Sequence, residues 1–222
     1  MNDELEHRKS FNDSIKIVEK DIKEMSRMGE NAIIKAVKSI EDFNEEAIQE
    51  VYAAEKETNE LNLDVEKTCL KINALYQPVA KDLRFVASMM KISSIFERIC
   101  DLAAKIAKIA EKNKGKDPIK PLVRSNEMIE KMTRMMDMVR EAIETKEVED
   151  LRKLSEIDDE VDELFSDISE ELTELMVENP DLIDEGKDLL YMARYLERSA
   201  DLVCKVGSRL IYQVKGERVR LK

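Results

Sequence analysis

Two short segments decide the fold of this chain: Ile95-Phe96-Glu97-Arg98-Ile99-Cys100-Asp101-Leu102 and Tyr195-Leu196-Glu197-Arg198-Ser199-Ala200-Asp201-Leu202, at an offset of 100. Glu, Arg, Asp and Leu recur in register, and Lys105 with Lys205 extends the match. The flanks agree in character, Met89 with Leu189, Met90 with Leu190 and Ile106 with Val206. A second correspondence, at an offset of 103, sets Glu55 against Asp158 and Asn59 against Asp162. Self-similarity at a fixed spacing marks a duplicated structural unit. The chain therefore reads as two halves, 1–114 and 115–222.

Each half reads as three helices. From Phe11 the apolar positions Ile15, Val18, Ile22, Met25, Gly29, Ala32, Ala36 and Ile40 alternate in steps of four and three, one stripe of a long helix. Asp42 to Asn44 supplies a turn and an N-cap, and a second helix carries Ile48, Val51, Thr58, Leu61, Val65 and Ile72 inward to about Leu75. Pro78 opens a third. Asn113 to Pro118 is the clearest break, with Asp117 and Pro118 set to cap and start helix four, whose stripe begins at Leu122 and Ser125. Helix five follows from Leu151, and Asn179-Pro180-Asp181 opens helix six, which runs to Val214 before Gly216. Short loops make successive helices antiparallel. The fold class is all-α, two pseudo-symmetric three-helix bundles side by side.

Composition agrees. Five glycines and four prolines in 222 residues are too few for the tight turns of a sandwich or barrel, and β-branched runs between Gly-rich turns, which βαβ units need, are missing. A net charge of −12 repels phosphate backbones and anionic lipid, which argues against nucleic acid as a partner. No apolar run approaches the roughly 18 residues of a membrane span, and the N-terminus lacks a signal peptide's apolar segment. Cys69, Cys100 and Cys204, each inside a helical pattern, read as reduced thiols of a cytoplasmic protein, Cys100 and Cys204 as small helix fillers. Five methionines in helix four (128, 132, 135, 136 and 138) read as core, with an adaptable partner groove as the alternative.

The carboxylates carry what chemistry there is. Glu97 with Asp101, Glu197 with Asp201 and Asp158 with Asp162 lie four apart, each pair on one helical face. Roughly ten acidic pairs at that spacing arise by chance in a chain this acidic, and most are solvated surface. On the helical wheel Glu97 and Asp101 lie opposite the stripe of Ile92, Ile95, Ile99 and Ala103, but their neighbours are Val86, Met90, Ser93 and Ala104. The matching stripe of helix six holds Leu190, Ala193 and Cys204. A carboxylate pair among small and apolar residues, occurring twice, marks an outward surface that something approaches. Gathered oxygen donors suit a hard cation such as Mg²⁺, Mn²⁺, Ca²⁺ or ferric iron. The competing reading is that Asp101–Lys105 and Asp201–Lys205 are plain i,i+4 ion pairs. A di-iron oxidase needs Glu-x-x-His pairs, and the single histidine is His7. No glycine-rich phosphate loop is present, and no nucleophile has a histidine base.

Gln77-Pro78-Val79-Ala80-Lys81-Asp82-Leu83-Arg84, the two Glu-Arg-x-x-Asp motifs at 97–101 and 197–201, and Ile211-Tyr212-x-x-Lys215-Gly216 together resemble the PhoU family, over nearly the whole chain. The resemblance implies two three-helix bundles, commonly dimerised, with multinuclear metal clusters (iron, magnesium, manganese or zinc) on the bundle surface. By position the first cluster would use Glu55, Asn59, Glu97 and Asp101, and the second Asp158, Asp162, Glu197 and Asp201. Asn59 stands where the family often has Asp, leaving the first site one anionic ligand fewer. The glycine that often precedes the motif Asp is Cys100 and Ala200 here. The implied function is that of a non-catalytic cytoplasmic adaptor and negative regulator. It would link the ATPase subunit of a phosphate ABC transporter to a sensor histidine kinase, reaching the inner face of the membrane only through the transporter. A metal-storage protein or metal-dependent enzyme, and a metal-free helical adaptor, are the alternatives.

Overall fold

The computed structural model describes residues 2–116 and 123–222. Among the described residues there are six α-helices and no strand: α1 (Asn2–Glu41), α2 (Glu45–Tyr76), α3 (Ala80–Lys112), α4 (Val123–Thr145), α5 (Leu154–Glu178) and α6 (Ile183–Lys215). Short 3-10 turns at Asp150–Lys153 and Pro180–Leu182 lead into α5 and α6. The expected start of helix four at Asp117 and Pro118, Leu122 of its stripe and the side chain of His7 lie outside the described residues.

Local chemistry sets the boundaries. Asn44 caps α2, its Oδ1 accepting the Ala47 N–H at 3.0 Å, with Glu45 and Glu46 against the positive end of the helix. Gln77 closes α2 in the left-handed conformation, φ 46°, donating its N–H to the Asn73 carbonyl. Pro78 thus falls in the connection, and α3 begins at Ala80 rather than at Pro78. Asn179 accepts the Asp181 N–H ahead of α6, with Pro180 at the first position of the turn. At its front, α1 extends beyond the Phe11 stripe to Asn2.

α1, α2 and α3 pack on one another, as do α4, α5 and α6; α3 against α6 and α1 against α4 join the two sets. The apolar interior is continuous across that junction, running from Ile22, Met25 and Ile92 through Phe96 and Ile99 to Met132, Met136, Leu196 and Val203. The two three-helix bundles read from the sequence thus stand side by side around one shared core. Of the helix-four methionines, 128, 132, 135 and 136 are buried in the core and 138 is half-buried against it. Polar ties reinforce the joint. Buried Asp188 on α6 meets Lys112 Nζ at 2.7 Å and Asn113 Nδ2 at 3.1 Å, Lys23 pairs with Glu144 at 3.0 Å, and Arg140 pairs with Glu30.

Because α3 and α6 are covered from two sides, their stripes differ from the wheel reading. Val86, Ser93 and Ala104, placed on an outward face from sequence, are buried, and so are Ala193 and Cys204. What stays exposed on α3 is narrower and includes Lys91, Arg98 and Lys105, at heptad spacing. After α6, Gly216 takes φ 77° and turns the chain back along α5 and α6. Leu221 is buried there, its N–H donated to Ser208 Oγ at 3.3 Å and its carbonyl accepting from Ser155 Oγ. A Cβ on Gly207 would lie 2.5 Å from Leu154 Cδ1 and 3.0 Å from Leu221 Cδ1, so bare α6 backbone makes the seat for the returning tail.

Candidate functional site

Each expected ligand set straddles an outer helix and a central one. Glu55 and Asn59 project from α2 beside Glu97 and Asp101 of α3; Asp158 and Asp162 project from α5 beside Glu197 and Asp201 of α6. The two sets are differently buried. Glu55, Glu97 and Asp101 are half-buried and Asn59 is exposed, whereas Asp158 is 1% and Glu197 9% exposed. An outward, solvent-facing position therefore fails for Asp158 and Glu197, while Asp162 and Asp201 stay half-exposed.

Burial, and after it the neighbouring carboxylates, act on Glu97, Asp158 and Glu197. Burial first, then the facing charges of Asp101 and Glu55, raise the Glu97 carboxyl above the ordinary value, against the pull of Arg98. Glu197 is raised by burial, pulled back by Arg194, and raised again by Asp201, Asp162 and Asp158. Asp158 is raised by burial and by Asp201 and Asp162, with Lys222 opposing. These directions describe carboxylates short of positive charge.

Lys222 supplies part of it in the second set. The returning tail places its Nζ 2.8 Å from Asp158 Oδ2, 2.6 Å from Asp162 Oδ2 and 3.1 Å from Asp159 Oδ1. Desolvation works against the ammonium, but hydrogen bonds to Asp158, Asp162 and Asp159 hold it protonated to higher pH than an ordinary lysine. Arg194 Nη1 reaches Glu197 Oε1 at 2.7 Å. Glu197 Oε2 remains buried with no hydrogen-bond partner. The first set has no such resident: among the described residues no lysine or arginine pairs with Glu55, Glu97 or Asp101.

Oxygen donors of this kind, with an orphaned buried carboxylate oxygen, fit a hard cation. They are not drawn together into a cage, for among the described residues no three Asp, Glu, His or Cys side chains stand close enough to hold one ion. The plain ion-pair alternative fails as well. Neither Asp101–Lys105 nor Asp201–Lys205 is formed, and all four residues line a shared groove between α3 and α6. Four residues of each repeat line that groove together with their counterparts from the other half: Arg98 and Arg198, Asp101 and Asp201, Leu102 and Leu202, Lys105 and Lys205.

Sequence reasoning missed Lys222 and Asp159. The available signal was the alternation of Val219 and Leu221 with Arg218, Arg220 and Lys222 after Gly216, the period of an extended segment with one face buried. The cysteines behave as fillers: burial pushes Cys69 and Cys100 up to about 12, the latter despite a hydrogen bond to Thr58, and raises Cys204 as well. No described helix is long and apolar enough to cross a membrane.

Against known families, residues 22–110 and 125–210 each match the PhoU domain. The chain is 34% identical over 196 residues to the phosphate-specific transport system accessory protein PhoU homolog of Aquifex aeolicus, covering 88% of this chain and 89% of that protein. It is 31% identical over 209 residues to PhoU homolog 1 of Methanothermobacter thermautotrophicus, covering 94% and 95%. Among solved structures, PhoU from Pseudomonas aeruginosa superposes with a TM-score of 0.87 at 25% identity, over 93% of this chain and all of that one. The phosphate transport system regulatory protein PhoU from Streptococcus pneumoniae gives 0.86 at 25% identity, over 94% and 99%.

Proposed function

The chain belongs to the PhoU family, and from that premise we propose that it is an accessory regulator of phosphate-specific transport. The observation that carries this reading is the match of both halves to the family, in relatives named for that role and aligned over nearly their whole length. Each half, 1–114 and 115–222, counts as one copy of the repeated unit.

In this reading the protein is a cytoplasmic, non-catalytic adaptor, a homodimer that damps the phosphate-starvation response. It contacts the ATPase subunit of a phosphate ABC transporter and a sensor histidine kinase. Buried thiols with raised pKa values support a binding role over thiol chemistry. Pull-down from cells grown in high and low phosphate tests it. The transporter ATPase or the kinase is expected in the phosphate-replete sample; recovery of neither, in either condition, overturns the adaptor role.

Glu55, Asn59, Glu97 and Asp101 would hold one cation cluster, and Asp158, Asp162, Glu197 and Asp201 the other. A bound hard cation supplies the positive charge that these facing carboxylates lack. In the second set the carboxylates must turn inward and Lys222 must yield Asp158 and Asp162, whereas the first set has no ammonium to displace. Elemental analysis of untagged, chelator-free protein should give at least one metal per chain, falling when Glu197 and Asp201 are both changed to Ala. Less than one metal per chain in the unaltered protein removes the cluster reading and leaves the metal-free adaptor.

A further inference from the structure

The groove between α3 and α6 is a recess of about 460 Å³. Its rim carries Arg98, Arg198, Lys105 and Lys205, and none of the four forms an ion pair or hydrogen bond among the described residues. Arg194 adds a fifth cation, while half-buried Asp101 and Asp201 and buried Leu102 and Leu202 lie deeper. A second recess of about 500 Å³ shares Arg98 and Lys205 and adds Lys91, Arg209, Arg218 and Arg220, with no acidic residue in its lining. In a chain of net charge −12, cations gathered in one trough, four of them without an ion-pair partner and Arg194 paired with Glu197, form a local positive potential that concentrates anions.

The spacing selects among anions. Arg98 and Lys105 are seven residues apart on α3, as are Arg198 and Lys205 on α6, which is about 10.5 Å along each axis. Linked phosphoryl groups can engage both ends with the side chains extended, whereas one orthophosphate would require both side chains to fold in toward it. Two aspartates in the floor repel a bare polyanion. They become favourable when a divalent cation stands between, since magnesium is commonly held by one or two carboxylates together with substrate phosphates. That arrangement also accounts for carboxylates that do not converge among themselves: the phosphoryl oxygens complete the coordination.

We propose that the α3–α6 groove binds a chain of linked phosphoryl groups as its magnesium complex, with Asp101 and Asp201 toward the metal and Arg98, Arg198, Lys105 and Lys205 on phosphoryl oxygens. Inorganic triphosphate and a nucleoside triphosphate share this chemistry. The proposal meets the cation reading above only at Asp101 and Asp201. Metal content measured on the same samples separates failure of one from failure of the other.

Isothermal titration of the full chain with sodium triphosphate, ATP and orthophosphate, each with and without Mg²⁺, tests it. Saturable binding of a triphosphate in Mg²⁺ is expected, and the tighter of the two assigns the source as inorganic or nucleotide. The R98Q/R198Q double variant should bind at least tenfold more weakly with metal content unchanged, and D101N/D201N should lose the strengthening by Mg²⁺. K105Q/K205Q, altered at exposed sites, serves the same purpose if the arginine variant melts early. Orthophosphate or a polyaspartate peptide binding as tightly as triphosphate, no binding of either triphosphate, or an R98Q/R198Q protein that binds like the unaltered chain would each overturn the proposal.

Discussion

Glu197 shows what a single buried carboxylate does to the pH response. Its folded pKa lies above the ordinary value of 4.5 because burial and three neighbouring aspartates disfavour its charge more than Arg194 favours it. Between the ordinary and the raised value the folded chain binds more protons than the unfolded one, so this group's contribution to stability grows as the pH falls and is lost as it rises. Glu197→Gln should therefore raise the melting temperature at neutral pH and narrow its advantage toward pH 4.5; a constant difference across that range would show that Glu197 is ordinary. Lys222 is the second informative residue. Lys222→Ala leaves Asp158, which is 1% exposed, facing Asp162 with no ammonium between them. A loss of about 2 kcal/mol is expected in urea unfolding, partly restored by millimolar Mg²⁺. An unchanged midpoint would mean that the tail contributes nothing to this cluster. Glu197 and Asp158 could be named from sequence because they recur at fixed offsets. Their burial could not, because a wheel drawn for α6 alone omits α5 and the tail.

Among the elements, the six helices were legible because stripes such as Ile15, Val18, Ile22 and Met25 repeat over many turns, and because Asn44, Asn179 and Gly216 carry capping chemistry in their own side chains or backbone. The returning tail was not, since six residues of alternating pattern are too few to stand out, and what seats them is a gap at Gly207 on a helix they do not belong to. That seat is testable. Gly207→Ala introduces a Cβ 2.5 Å from Leu154 Cδ1 and 3.0 Å from Leu221 Cδ1, so buried Leu154 must shift and the seat of the tail is disturbed with it. A destabilisation of about 1–3 kcal/mol is expected, together with faster trypsin cleavage at Arg218 and Arg220. Unaltered cleavage would show that the tail is held independently of Gly207.

At the scale of the molecule, the duplication seen in the sequence is a statement about topology and not about independent stability. Phe96, Ile99, Leu196 and Val203 belong to one apolar interior, and Asp188 on α6 is held by Lys112 and Asn113 at the far end of α3. Unfolding of either half would strand the other half's face of α3 or α6 in water. Calorimetry should accordingly give a single transition with matching calorimetric and van't Hoff enthalpies; two resolved transitions would restore the picture of separate bundles. The paired lining of the α3–α6 groove has one more consequence. A guest without symmetry of its own finds two similar orientations there, and this degeneracy favours its capture by up to a factor of two, about 0.4 kcal/mol. The tie is broken where Arg194 stands in the second half and Ser94 in the first. That difference, with the second recess that adjoins Arg98 and Lys205, sets which way round the guest is held.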